Sequence, residues 1–378
     1  MESARELTGE GNRLYGLSLY REAVDAYTRA LTLGAGSECY FNRALARLRL
    51  GDYEQALQDI ELYAQGKDDE SGLYVKALIL GRMGRYDEAL GIVYRILEYN
   101  PYHLKAVEQM TYLEGRLHKG WEVLDYYPEL AVKVESKGSI IHVKSLSLSE
   151  YVLSKYNRRS PFVHGFWDAC LIPLLLKSDI ENVLLVGSCA ATIGRQYSHF
   201  TGCAVDAVDL QTQTMIECQK HFGPLPKMMT PHQAEGVRFM EESCTDYDVI
   251  IFDVFEGEYM APAFAKPQTL ALAHKRLKPD GFLVINYIMG DKLTGYCTLS
   301  NRLIASFPSV YSTSSGTNRI FTASKRPLKP QKMREMLSNP RDGRLRKLGE
   351  HLLSKTKALS CSIQLPGRKA AGRHGRKI

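Results

Sequence analysis

Three acidic residues, Asp209, Glu235 and Asp253, and one turn of small residues, Gly187-Ser188-Cys189-Ala190-Ala191, hold most of the chemistry this chain can offer. The turn follows the apolar run 183–186, Asp209 follows 204–208, and Asp253 follows 249–252. A turn of small residues lets backbone approach a ligand. An acid after the next run can accept both hydroxyls of a ribose, a third can receive the amino group of adenine, and a fourth can face a reacting centre. Together these positions form the pattern of a nucleoside-binding transferase. Each acid also has a plainer reading: Asp209 as a solvated cap of the following helix, Glu235 as an ordinary loop acid, Asp253 as a structural strand-end acid in a fold that no longer reacts. Cys189 reads as a small turn filler, since no histidine lies near it in sequence to activate a thiolate.

The apolar runs explain the positioning. Residues 183–186, 249–252 and 282–285 are short and continuously apolar, 204–208 is apolar but for Asp206, and helix-like stretches such as 213–221 and 269–277 separate them. Such alternation predicts parallel strands buried on both faces, a Rossmann-like doubly wound sheet whose ligands bind at the carboxyl ends of the strands. Every polar residue named above, and Asn286 after the fourth run, falls at such an end.

From about residue 135 to 325 the sequence resembles the spermidine synthase family, a branch of the class I S-adenosylmethionine-dependent fold. The resemblance rests on 183–192 (VLLVGSCAAT), on Val208-Asp209-Leu210 where the family has V-E-I-D, and on Ala234-Glu235-Gly236 for its G-D-G or G-D-A. It continues through 247–253 (YDVIIFD), 277–286 (LKPDGFLVIN) and 307–311 (FPSVY). Residues 254–258 (VFEGE) followed by Pro262 are nearer to synthase-like proteins with D-x-F-D-G than to the D-S-S-D loop of true polyamine makers. The resemblance implies that Gly187, Ser188, Cys189, Asp209 and Glu235 hold S-adenosylmethionine, with Asp253 and Glu256 as the catalytic carboxylates. Transfer from a sulfonium to an amine is an in-line displacement by a neutral nucleophile, so a carboxylate within reach can orient that amine and accept its proton. Methyl and aminopropyl transfer share this arrangement.

The departures from the family point one way. Its turn reads G-G-G-D-G, and the acid that holds the amine of decarboxylated S-adenosylmethionine is replaced by Ala190. With Pro173 on the family's proline, its tyrosine-glutamine pair falls on Gly165 and Phe166, and a later tyrosine facing the polyamine falls on Thr313. The decarboxylated cofactor is therefore less favoured, and methyl transfer to a protein or small amine is slightly preferred over aminopropyl transfer. The competing expectation is an inactive fold serving as an interaction scaffold. His164 and Trp167 read as core, with a pocket mouth as the alternative.

The first 100 residues follow another grammar. Ala23, Ala56 and Ala89 recur at a period of 33, each preceded by Tyr20, Tyr53 or Tyr86 and, farther back, by Gly11, Ala44 or Ala77, and followed by Tyr27, Ile60 or Val93. Small and aromatic positions at this period predict stacked helix pairs. From Glu6 to about Pro101 the chain resembles the tetratricopeptide repeat family, with turns at Gly51-Asp52 and Gly84-Arg85, and 101–127 reads as a decayed fourth unit or capping helices. The resemblance implies a groove for a protein partner. Asn12 and Asn42 match the asparagines with which such repeats hold a peptide carboxylate, but Thr8, Ser71 and Val75 replace the basic partners, so chaperone-tail binding is disfavoured.

The expected organisation is a helical repeat domain over 1–130, the transferase-fold domain over 131–326, and a basic flexible tail over 327–378 with an amphipathic helix near 344–359. From residue 326 onward 15 Lys and Arg face three acids, which leaves about −5 of the total +7 for residues 1–325. The tail lacks the interleaved aromatics that stack on bases, so nucleic acid is not expected as a partner. Eight scattered cysteines without a C-x-x-C pair predict no structural metal, and no apolar run is long enough to span a bilayer. The expected location is cytoplasmic, with a nuclear address in the tail as the alternative. Family members often pair, so a homodimer is entertained.

Overall fold

The computed structural model describes residues 2–65, 69–117, 120–147, 151–289 and 293–359. The chain divides into two compact units, 1–122 and 123–378.

The first unit is built from three helix pairs, α1 (Ala4–Gly16) with α2 (Tyr20–Thr32), α3 (Ser37–Leu50) with α4 (Tyr53–Ala64), and α5 (Glu70–Arg82) with α6 (Tyr86–Tyr99). Each repeat tyrosine opens its second helix. The periodic alanines are fully buried, as are Ala44, Ala77, Ile60 and Val93. A methyl on Gly11 would meet the Tyr27 ring at 2.5 Å, so the first pair closes only around a glycine. The turn within each pair needs one left-handed residue. Gly51 (φ 88°) and Gly84 (φ 79°) supply it, and Ser18 (φ 62°) takes the equivalent place in the first pair. Beyond the third pair a single helix, α7 (Leu104–Leu117), covers the last apolar face with Ala106, Met110 and Leu113. The chain then enters a strand, so a capping helix stands where the sequence left a fourth unit open.

The second unit opens with a four-stranded sheet in the order β1 (Glu122–Tyr127), β2 (Val132–Lys137), β3 (Ile140–Ser145) and β4 (Val152–Asn157). The main sheet follows: β5 (Asn182–Val186), β6 (Ala204–Asp209), β7 (Met229–Gln233), β8 (Tyr247–Phe252), a small hairpin of β9 (Phe255–Glu256) and β10 (Tyr259–Met260), then β11 (Leu277–Ile288), β12 (Ser309–Ser315), β13 (Asn318–Ser324) and β14 (Thr356–Ala358). Its order is β14-β12-β13-β11-β8-β5-β6-β7. The five strands from β7 to β11 run parallel, whereas β13, β12 and β14 pair antiparallel, so the sheet is mixed. The order reverses between β5 and β8, which makes that edge the switch point where ligands bind. The apolar runs read in the sequence are the central strands, and Val183, Leu184, Val249, Ile250, Leu283 and Val284 are fully buried.

The boundaries expected from sequence move. The first compact unit ends at 122 and not at 130. The segment after 326 does not begin as a flexible tail: helices Pro330–Ser338 and Arg346–Leu353 bury Met333, Leu337, Leu348 and Leu352, and β14 adds a strand to the sheet edge. Its basic residues sit on the outer faces of those helices while the apolar ones pack inward, which a net-charge count does not reveal. The most basic stretch, 360–378, lies outside the described residues. Among the described residues no helix is long and apolar enough to cross a membrane.

Candidate functional site

The carboxyl ends of β5, β6 and β8, the end of β11 and the start of β13 surround one cavity of about 470 Å³. The turn after β5 forms its floor. Gly187 has φ +83°, and a Cβ there would stand 2.2 Å from the carbonyl oxygen of Asp253. Cys189 (φ 43°) and Ala191 (φ 60°) are also left-handed without being glycine, a strained conformation of the kind found at ligand-binding turns. Asp209 supports this turn: its Oδ2 accepts from the Cys189 amide at 2.9 Å, and its Oδ1 accepts from the Gln211 amide at 3.0 Å.

Glu235 is the N-cap of helix Gly236–Glu242, its carboxylate accepting from the amides of Val237 and Arg238 at 3.0 and 2.8 Å. It remains exposed and lines the cavity. Asp253 is held from below. Asn286, itself buried, donates through Nδ2 to Asp253 Oδ1 at 2.8 Å and accepts from Asn318 Nδ2 at 2.7 Å. Burial pushes the Asp253 carboxyl up to about 7, with the Asn286 hydrogen bond opposing and the Asp209 charge adding to the rise. A carboxyl of that acidity can take up a proton near neutral pH.

Gly187, Cys189, Asp209, Glu235 and Asp253 therefore line one crevice. Two expected residues do not. Ser188 is buried outside the cavity lining, its hydroxyl without a hydrogen-bond partner among the described residues. Glu256 is exposed on β9 next to Phe255, which lines the cavity, and successive strand side chains point to opposite faces, so Glu256 does not. Cys189 is inert as a nucleophile, because burial raises its thiol to about 12. Trp167 is buried and also lines the cavity, stacked on Phe166 with ring centroids 4.1 Å apart, whereas His164 is not among the walls.

The sequence reading overlooked Asn318 and the aromatic walls Phe166, Phe255 and Phe264. It placed Asn286 at a strand end without giving it a role. The positions at which the family gathers a polyamine are occupied differently. Ala190 is fully buried in an apolar cluster with Val132, Cys218 and Phe222, and Thr313 is buried against Thr356 of β14 at 2.9 Å.

The charge of the cavity is one-sided. Three carboxylates line it, and no Lys, Arg or His does among the described residues. With five aromatic rings beside them, Tyr151, Phe166, Trp167, Phe255 and Phe264, these groups fit a nucleoside carrying a cationic substituent, and Gly187 leaves the room for its close approach.

The helical unit has a smaller hollow of about 280 Å³ lined by Asn12, Tyr15, Tyr27, Asn42 and Leu45. Asn12 Oδ1 accepts from both the Tyr27 hydroxyl (2.8 Å) and Asn42 Nδ2 (3.0 Å), so the two asparagines are tied to one another.

No family model matches the chain. Among curated proteins it is similar to outer dynein arm-docking complex subunit 4 of Xenopus laevis, 37% identical over 94 residues, covering 24% of this chain and 18% of that one. It is also similar to small glutamine-rich tetratricopeptide repeat-containing protein 2 of Mycosarcoma maydis, 32% identical over 104 residues, 27% of this chain and 29% of that one. The chain thus spans less than a third of the length of these relatives. Among solved structures, a probable spermidine synthase from Corynebacterium glutamicum ATCC 13032 superposes with a TM-score of 0.47 at 15% identity, covering 62% of this chain and 95% of that one. The N-terminal unit is a tetratricopeptide-like helical repeat. The second unit is built on a Rossmann-like doubly wound sheet with three antiparallel strands added at one edge.

Proposed function

We propose that the second unit is an S-adenosylmethionine-dependent transferase, acting on an amine of a protein or small molecule, and that the helical repeat binds a protein partner. The observation that carries this reading is the convergence of Asp209, Glu235 and Asp253 from three successive strand ends on one aromatic-walled cavity without a basic side chain. A phosphorylated nucleotide would meet only like charge there; a sulfonium nucleoside meets opposite charge.

In this reading Asp209 holds the ribose hydroxyls with the lone pairs that its two backbone bonds leave over, and Glu235 faces the adenine edge. Phe166, Trp167 and Phe255 keep water from the reacting end. S-adenosylmethionine, when bound, supplies a carbon activated by its positive sulfur. Asp253, oriented by Asn286, accepts the proton that the attacking amine gives up. Methyl transfer is preferred to aminopropyl transfer because Ala190 and Thr313, which stand where the resemblance puts an acid and a tyrosine for the polyamine, are both fully buried. For the repeats, no Lys or Arg among the described residues lines the hollow at Asn12 and Asn42, which speaks against a partner captured by its terminal carboxylate. The setting proposed is the cytoplasm, with the basic end able to direct the chain to the nucleus.

The same contacts favour a second reading at one point: both oxygens of Glu235 are committed to capping a helix, as in a fold kept for its stability alone. Incubation with methyl-labelled S-adenosylmethionine and cell extract separates the two. Labelling of an acceptor by the wild type and its loss in Asp253→Asn supports transfer; equal labelling by both removes Asp253 from the mechanism, and none by either leaves the scaffold.

A further inference from the structure

A second cavity, of about 580 Å³, lies in the same unit between β4 with the loop after it, the helix Thr192–Thr201 and the loop 222–226. Strand β4 serves both hollows: Val152 and Leu153 line the first, Lys155 and Asn157 the second. The charge is reversed. Lys155, Arg158, Arg159 and Arg195 line this cavity, and no Asp or Glu does among the described residues.

Two of these cations are poorly compensated. Lys155 Nζ makes one long hydrogen bond, 3.4 Å, to the His164 carbonyl. The nearby acid, Asp168, accepts instead from the amides of Val163 and His164 and from Gln196 Nε2, at 3.1, 2.9 and 2.7 Å. Arg195 spends its terminal nitrogens on the carbonyls of Phe222, Gly223 and Pro224, and its buried Nε has no partner among the described residues. Burial depresses the pKa of both side chains, as expected where desolvation is not offset by an ion pair. Two further polar atoms at the wall are buried and unpartnered: Gln196 Oε1, on a side chain only 3% exposed, and Ser198 Oγ. Buried cations and polar atoms normally find partners inside the protein. Here the partner that the cavity can supply is an anion for the cations.

We propose that this cavity binds a phosphate monoester, with its phosphate facing Lys155, Arg158 and Arg195. A phosphate monoester brings nearly two negative charges and three acceptor oxygens, enough for more than one of these cations, whereas one carboxylate would leave a cation unmatched. The site is independent of the transferase reading, since none of its residues lines the first cavity.

Calorimetric titration of the full chain with ribose 5-phosphate and with AMP, using ribose as the uncharged control, tests it. One or both esters should bind with a Kd below about 1 mM while ribose does not. Lys155→Met should weaken that binding about tenfold and Arg158→Ala about threefold, and Asp253→Asn should leave it unchanged. Arg158 is exposed, so its variant folds even if Lys155→Met does not. Absence of heat with both esters, or wild-type affinity in Lys155→Met and Arg158→Ala, overturns the proposal; so does loss of binding in Asp253→Asn alone, which would place the ester in the first cavity.

Discussion

The backbone of Gly187 approaches Asp253 so closely that a side-chain carbon on residue 187 would lie 2.2 Å from the Asp253 carbonyl oxygen. The turn after β5 and the end of β8 meet backbone to backbone at the point where the sheet order reverses. Gly187→Ala must relieve both this clash and a left-handed φ. It should destabilise the second unit by about 3 kcal/mol or more, measured by urea unfolding, and abolish nucleoside binding.

Asp253 should make stability depend on pH in an unusual direction. Its carboxyl holds a proton more tightly folded, near 7, than at the ordinary value of 3.8, so the favourable contribution present below pH 4 is lost as pH rises through 7. Asp253→Asn lacks this loss. The Tm of the variant should match wild type near pH 4, rise above it progressively to pH 7, and stay a constant interval above it beyond; a Tm difference that does not change with pH contradicts the account.

Asn286 lowers the Asp253 carboxyl by donating to its ionised form. Asn286→Ala removes the donor, so the pH at which the Asp253-dependent loss of Tm levels off should move above 7. No move would show that Asn286 does not act on Asp253, and a downward move would reverse the sign of its effect.

Ser18 takes the left-handed place that glycine holds at 51 and 84. Relief of the conformational cost, less the entropy that glycine adds to the unfolded chain, should make Ser18→Gly more stable by about 0.5–1 kcal/mol, seen as a higher midpoint for the helical unit in denaturant. An unchanged or lower midpoint would mean that the Tyr20 hydroxyl contact to Ser18 outweighs the strain.

Much of this molecule is legible in its residues because burial writes a clear pattern. Ala23, Ala56 and Ala89 announce helix pairs, since only small residues fit where the helices touch, and the runs 183–186 and 249–252 announce central strands because both faces are covered. Strand β7 was illegible for the opposite reason: it is an edge strand reading Met-Thr-Pro-His-Gln, with Pro231 beside Ala207, and nothing apolar marks it. After 326 the amphipathic helix expected near 344–359 is present as Arg346–Leu353, whereas helix Pro330–Ser338, which buries Met333 and Leu337, went unread because charge dominates that stretch's composition. Within the site, acids directly after apolar runs could be found by position. The Asp253–Asn286–Asn318 chain could not, because it joins residues 33 and 32 apart, the first two through the parallel pairing of β8 with β11 and the last through the antiparallel return of β13. Glu256 was assigned by nearness in sequence to Asp253, and strand alternation sent it the other way.

Calorimetric titration of the full chain with S-adenosylmethionine, set beside the decarboxylated form and methylthioadenosine, reaches the central claim most directly. The account predicts saturable binding of S-adenosylmethionine, tighter than that of methylthioadenosine, which lacks the positive sulfur, and weakened about tenfold or more by Asp209→Ala. No heat with any of the three, or equal affinity in Asp209→Ala, would contradict it.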